Sequence, residues 1–207
     1  MGWLDYPTMP FALPRISIYT RKISFIGVMT ALCISSNYLM IGLTNIKFMD
    51  LFVFISGYTM GIFPGVSVGI LTWLVYGTFN PYGFNLPTLI ATCTGESLYG
   101  LLGGIYAKFG PSVSPTSFPS VRATIARDDF WASNLKLGVI GFFLTFIYDL
   151  FTNVVTSEVF EIPLVPYLIM GIPFAVAHEV SNFLFFFFAG NALIGAIQML
   201  TFRGGET

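Results

Sequence analysis

ISFIGVMTALCISSNYLMIGL, residues 23–43, runs for 21 residues without a charged side chain and is introduced by Arg21 and Lys22. At 1.5 Å per residue such a helix is about 31 Å long, which matches the hydrocarbon thickness of a bilayer. The stretch therefore reads as a membrane-spanning helix and decides the class of the whole chain. Composition agrees: 55% of residues are hydrophobic, 9% are charged and 23 are Phe, with a mean hydropathy of +0.79. Soluble domains carry roughly 25% charged residues. A span needs about 20 apolar residues, so 207 residues supply six spans and no large soluble domain.

Working outward from residues 23–43, the expected spans are 23–43, 48–63, 65–79, 86–107, 136–155 and 166–189. Together they form one all-α transmembrane domain over 21–202. Pro64-Gly65 is taken as the turn between the second and third, because proline lacks an N–H and glycine loosens the backbone. Residues 1–20 form an N-terminal arm, 110–135 a Ser- and Pro-rich polar loop, and 203–207 a tail. The apolar stretch 165–202 is expected to run as a helix to Ala189 and to overhang or kink past Gly190-Asn191. The opening MGWLDYPTMPFALP has three prolines and an acid and no basic lead, so it is not expected to be a signal peptide.

Lysine and arginine orient the helices, since cytoplasmic loops hold an excess of them. With six spans and both termini cytoplasmic, Arg15, Arg21, Lys22, Lys108, Arg122, Arg127, Lys136 and Arg203 share one side. Only Lys47 lies outside. The expectation is a multi-pass protein of the cell membrane.

Several chemistries are disfavoured. No Gly-x-x-x-x-Gly-Lys-Ser/Thr is present, so ATP-driven work would need another subunit. The single His has no partner at zinc-ligand spacing, and Cys33 and Cys93 lie in apolar runs as small hydrophobes. A net charge of −1 offers no basic surface for nucleic acid. No cofactor and no enzymatic activity are expected.

Polar groups nevertheless recur inside the spans. FIYDLFTNVVT (146–156) sets Asp149 and Asn153 four apart, and FAVAHEVSNFLFFFF (174–188) does the same with His178 and Asn182. Residues i and i+4 share a helix face, with Thr145 one turn before Asp149, and Thr92, Glu96 and Tyr99 forming a matching stripe on the fourth span. Charge facing lipid is costly, so these faces should point at one another or at a cavity. Glu179, rotated about 100° from His178, should face elsewhere. Trp73 and Tyr76 read either as pocket walls or as packing. On the first span Gly27, Ala31 and Ser35 make a stripe of small residues that permits close approach of another helix, either a partner's or the chain's own. Gly57, Gly61, Gly65 and Gly69 repeat the pattern.

The run NYLMIGLTNIKFMDLFVFISGYTMGIFPGVSVGILTWLVYGTFNPYG (37–83), with GESLYGLLGG (95–104), YDLFTN (148–153) and HEVSN (178–182), resembles the substrate-binding S component of an energy-coupling factor transporter. The resemblance covers residues 18–197 apart from the 110–135 loop. It implies a six-helix protein that captures a vitamin or similar micronutrient from outside and docks on a transmembrane T component driven by two cytoplasmic ATPases. It also implies that the first helix meets the T component through an Ala-x-x-x-Ala pattern, here Gly27 and Ala31 or Ala31 and Ser35. Its ligand site maps onto Glu96, Tyr99, Asp149, Asn153, His178 and Asn182. Asn45, Lys47, Asn80 and Tyr82 would form a lid or rim. Because Glu96 and Asp149, with Glu179 nearby, outnumber the one histidine and Lys47 is the only basic residue outside, the ligand is expected to be a small, water-soluble molecule that is cationic or rich in hydrogen-bond donors. Two other readings stand beside it: a proton- or cation-coupled secondary transporter, and a structural membrane protein whose polar groups form a closed network.

Overall fold

The computed structural model describes residues 18–81, 83–110 and 125–202. Among them are six helices and no strand: α1 (Ile18–Leu39), α2 (Met49–Met60), α3 (Ile62–Phe79), α4 (Leu86–Phe109), α5 (Ile125–Val159) and α6 (Leu164–Phe202). Four of them contain stretches long and apolar enough to cross a membrane, namely Tyr19–Leu39, Ile62–Phe79, Trp131–Val159 and Leu164–Leu200. At 24 residues, α4 is about 36 Å long but less apolar, because its buried face carries Thr92 and Glu96. In the expected second span, 48–63, the helix is short. With 12 residues, α2 is about 18 Å long and falls short of the about 30 Å hydrocarbon core.

The exterior is unlike that of a soluble protein. Along α5, Val139, Phe143, Phe146, Ile147, Leu150, Phe151 and Val154 are exposed, while Thr145, Tyr148 and Asp149 on the opposite face are buried. Leu32 and Val28 of α1 and Phe188 of α6 are exposed as well. An apolar exterior with the charged groups turned inward beside a hydrophobic core is what a hydrocarbon solvent selects, since charge must turn inward and Leu, Val and Phe need not.

The turn between α2 and α3 lies at Gly61, not at Pro64-Gly65. Gly61 has φ 96° and ψ 172°, a backbone state essentially restricted to glycine. Pro64 instead occupies the first turn of α3, where its missing N–H has no helical acceptor to lose. Gly65 is then free for packing. A Cβ on Gly65 would stand 2.5 Å from the Gly57 Cα, and one on Gly100 would stand 2.2 Å from the Gly65 carbonyl carbon. Here α2, α3 and α4 meet backbone to backbone.

Two further boundaries move. Helix α5 begins at Ile125, so it absorbs the second part of the expected 110–135 loop, and α6 runs unbroken through Gly190-Asn191 to Phe202. Asn191 does not break α6 because its amide bonds the Asn134 side chain and the Ser133 hydroxyl (3.1 Å) on α5. At the other end of this pair, Glu161 takes a left-handed conformation (φ 54°). Ile162 N–H donates to Ser157 O (3.0 Å) and Glu161 N–H to Glu158 O (3.2 Å), the paired bonds of a Schellman cap. Residues 1–17, Tyr82, 111–124 and 203–207, hence most of the expected arm, the first part of the loop and the tail, lie outside the described residues.

Candidate functional site

The polar residues converge from four helices onto a single ring. His178 of α6 sits between two carboxyls: its Nδ1 is 3.0 Å and 3.1 Å from the two oxygens of Asp149 on α5, and its Nε2 is 2.7 Å from Asp50 Oδ2 on α2. Asn182, one turn further along α6, donates from Nδ2 to Asp50 Oδ2 (2.5 Å) and to Thr145 Oγ1 (2.7 Å). Thr145 also accepts the Tyr99 hydroxyl (2.8 Å) and donates to Gly141 O (2.8 Å). Beside this ring, Trp73 Nε1 of α3 donates to Glu96 Oε2 (3.1 Å). Glu96, Tyr99, Thr145, His178 and Asn182 are fully buried.

Carboxylate oxygens accept hydrogen bonds and do not donate them. Two carboxyl contacts on one imidazole therefore require either both ring nitrogens to carry protons or one acid to supply the missing one. Among the described residues, Asp50 Oδ1 and Glu96 Oε1 are buried without a hydrogen-bond partner. The ring is therefore not a set of fully satisfied pairs.

Above the ring lies a cavity of about 770 Å³. It is enclosed by the C-terminal ends of α1, α3 and α5, the N-terminal ends of α4 and α6, and the loop joining α1 to α2. Six helices that alternate in direction bring these ends together. The loop is fastened across the opening by Asn45, whose Nδ2 donates to Phe174 O of α6 (3.0 Å). The start of α4 is fixed by Asn85, whose Oδ1 accepts from Thr88 N (3.0 Å) and Thr88 Oγ1 (3.1 Å), an N-cap that satisfies donors the helix leaves unpaired.

The expected ligand residues divide between cavity and ring. Asp149, Asn153 and Asn80 line the cavity, as do Asn45, Lys47, Trp73 and Tyr76. Glu96, Tyr99, His178 and Asn182 do not line it; they lie in the closed ring and its flank. Asp149 belongs to both, with one face on the cavity and its two oxygens on His178. Asn80 is turned to its own chain, donating from Nδ2 to Gly77 O (2.8 Å). Tyr82 lies outside the described residues.

Sequence reasoning missed Asp50, the residue on which His178 and Asn182 meet. It lies two residues after the Phe48 cap of α2, at an expected span boundary where an acid usually faces water. The signal was there, since Asp50 is the sole acid between Leu39 and Thr94 and is followed by the apolar run Leu51–Ile55. Among known proteins, no family model, no curated protein and no solved structure matches this chain.

Proposed function

We propose that the chain is the membrane-embedded substrate-binding subunit of an ATP-driven micronutrient uptake system, with six membrane segments and both termini in the cytoplasm. The observation that carries this reading is the cavity. It has the volume of a small-molecule site, it opens at one end of a helix bundle with a lipid-compatible exterior, and a loop spans its mouth. Its wall offers Asp149, the Asn153 amide and aromatic faces to a small polar ligand. A purely structural bundle has no use for such a space, although the ring beneath it would serve adhesion on its own.

In this reading the ATPases and the T component are separate subunits, and α1 is the surface that meets them. Gly27, Ala31 and Ser35 are exposed on α1, and a Cβ on Gly27 would meet nothing within 4 Å. Among the described residues the stripe is therefore not used in packing. Ala31→Leu should leave folding and ligand binding intact while lowering uptake at least tenfold, because the bulkier side chain holds the partner helix away. Uptake is measured in cells carrying the complete transporter, and binding with the purified subunit. Equal loss of both would mean that the stripe is internal packing after all.

Orientation is tested with single cysteines and a membrane-impermeant maleimide. Labels at Asn45 and Glu161, both at the cavity end, should react from outside. Labels at Lys108 and Gly205 should react only after the membrane is opened. Reaction of Gly205 from outside would require an odd number of crossings and would remove the six-segment arrangement.

A further inference from the structure

Lys47, on the loop joining α1 to α2, is the one cation among the described residues that line the cavity. Its ammonium is held against two aromatic rings of the cavity wall. It lies 4.8 Å from the centre of the Trp73 ring and 5.6 Å from that of Tyr148, and it forms no ion pair among the described residues. Both aromatic side chains are nearly buried and line the cavity. The indole is further enriched in electrons because its N–H donates to the Glu96 carboxyl (3.1 Å). Asp149 stands on the same wall, and Asp50 lies beneath it. The wall is thus built to attract positive charge, and the ammonium on it is supplied by the protein's own loop.

We propose that Lys47 is an internal stand-in for the cationic group of the ligand: its ammonium occupies the Trp73–Tyr148 faces until an organic ammonium displaces it. This rests on the reading of the cavity as a ligand site and names the class of molecule it takes. The alternative use of Lys47, as the anchor for an anion, conflicts with its surroundings. An anion drawn to Lys47 would approach the same aromatic faces and Asp149, all of which repel it. Cation–π contact is strongest in a desolvated site, so removing the internal competitor should raise the affinity for an organic ammonium about tenfold.

The test uses purified protein in detergent with Trp3 and Trp131 changed to Phe, so that Trp73 is the remaining reporter. Phenethylammonium and its anionic counterpart 3-phenylpropionate are titrated against tryptophan fluorescence. Phenethylammonium should bind, and Lys47→Met and Lys47→Gln should bind it about tenfold more tightly, while 3-phenylpropionate should bind none of them. Lys47→Arg, which keeps a cation over the rings, should bind no more tightly than its parent. Binding of 3-phenylpropionate that disappears in Lys47→Met would overturn the proposal and leave the ligand site standing. Unchanged phenethylammonium affinity in both neutral variants, or tightening in Lys47→Arg as well, would overturn it too. If neither probe binds any variant, this inference and the ligand-site reading fall together.

Discussion

Gly57→Val is expected to abolish recovery of folded protein. A Cβ at Gly57 would stand 1.9 Å from Gly100 O, 2.8 Å from Gly100 C and 3.0 Å from Gly104 N. All three are backbone atoms of α4, so no rotamer change makes room. Relief requires α2 and α4 to separate, which would also pull Asp50 away from His178 and Asn182. The cost should reach about 4 kcal/mol or more, the upper range for single substitutions. It would be read as loss of the monodisperse peak in detergent and of any cooperative melt. Gly27→Val is the matched control, with nothing within 4 Å of the added carbon, and should give protein as monodisperse as the parent.

His178→Leu should have the second largest effect. The imidazole is the group between Asp50 and Asp149, and leucine supplies neither proton nor charge to either acid. Removing one member of a buried ionic set typically costs about 3–5 kcal/mol, because what remains is uncompensated. The same physics predicts a rescue. Changing Asp50 and Asp149 to Asn in the His178→Leu background removes the orphaned acids, and at least half of the lost thermal stability should return. Failure of the triple variant to recover, with the single variant strongly destabilised, would mean that His178 acts through packing and not through its two carboxyl partners.

Helix faces were legible in the sequence; depth was not. The four-residue spacing of Asp149 with Asn153 and of His178 with Asn182 requires only a regular helix, so it told which side turns inward. Whether an inward group borders open space or another helix depends on what crosses above it. Here that is the start of α2, where Asp50 reaches across to α6 and seals Glu96, His178 and Asn182 below the cavity. Nothing in the α6 sequence encodes that crossing. It follows from the glycines of α2, α3 and α4, which let three backbones touch.

Boundaries failed for an equally local reason. Pro64 and Gly65 form a strong turn signal in isolation. Proline is nevertheless tolerated in a helix's first turn, and Gly61 three residues earlier had already reversed the chain. At Gly190-Asn191 the sequence left an overhang or a kink open, and the helix continues unbroken with the Asn191 amide received by Asn134 and Ser133 of α5. The apolar length of residues 23–43, by contrast, needed no tertiary context, and α1 lies there within a few residues at each end.

The central claim, that this chain captures a small molecule for an ATP-driven partner, is tested most directly by purifying it in mild detergent from its own membranes and identifying by mass spectrometry everything that travels with it. The account predicts a transmembrane partner with two ATPase subunits, and a small molecule carrying a positive charge that is released when the protein is denatured. Recovery of the chain alone, with no ATPase and with no small molecule released on denaturation, would contradict it.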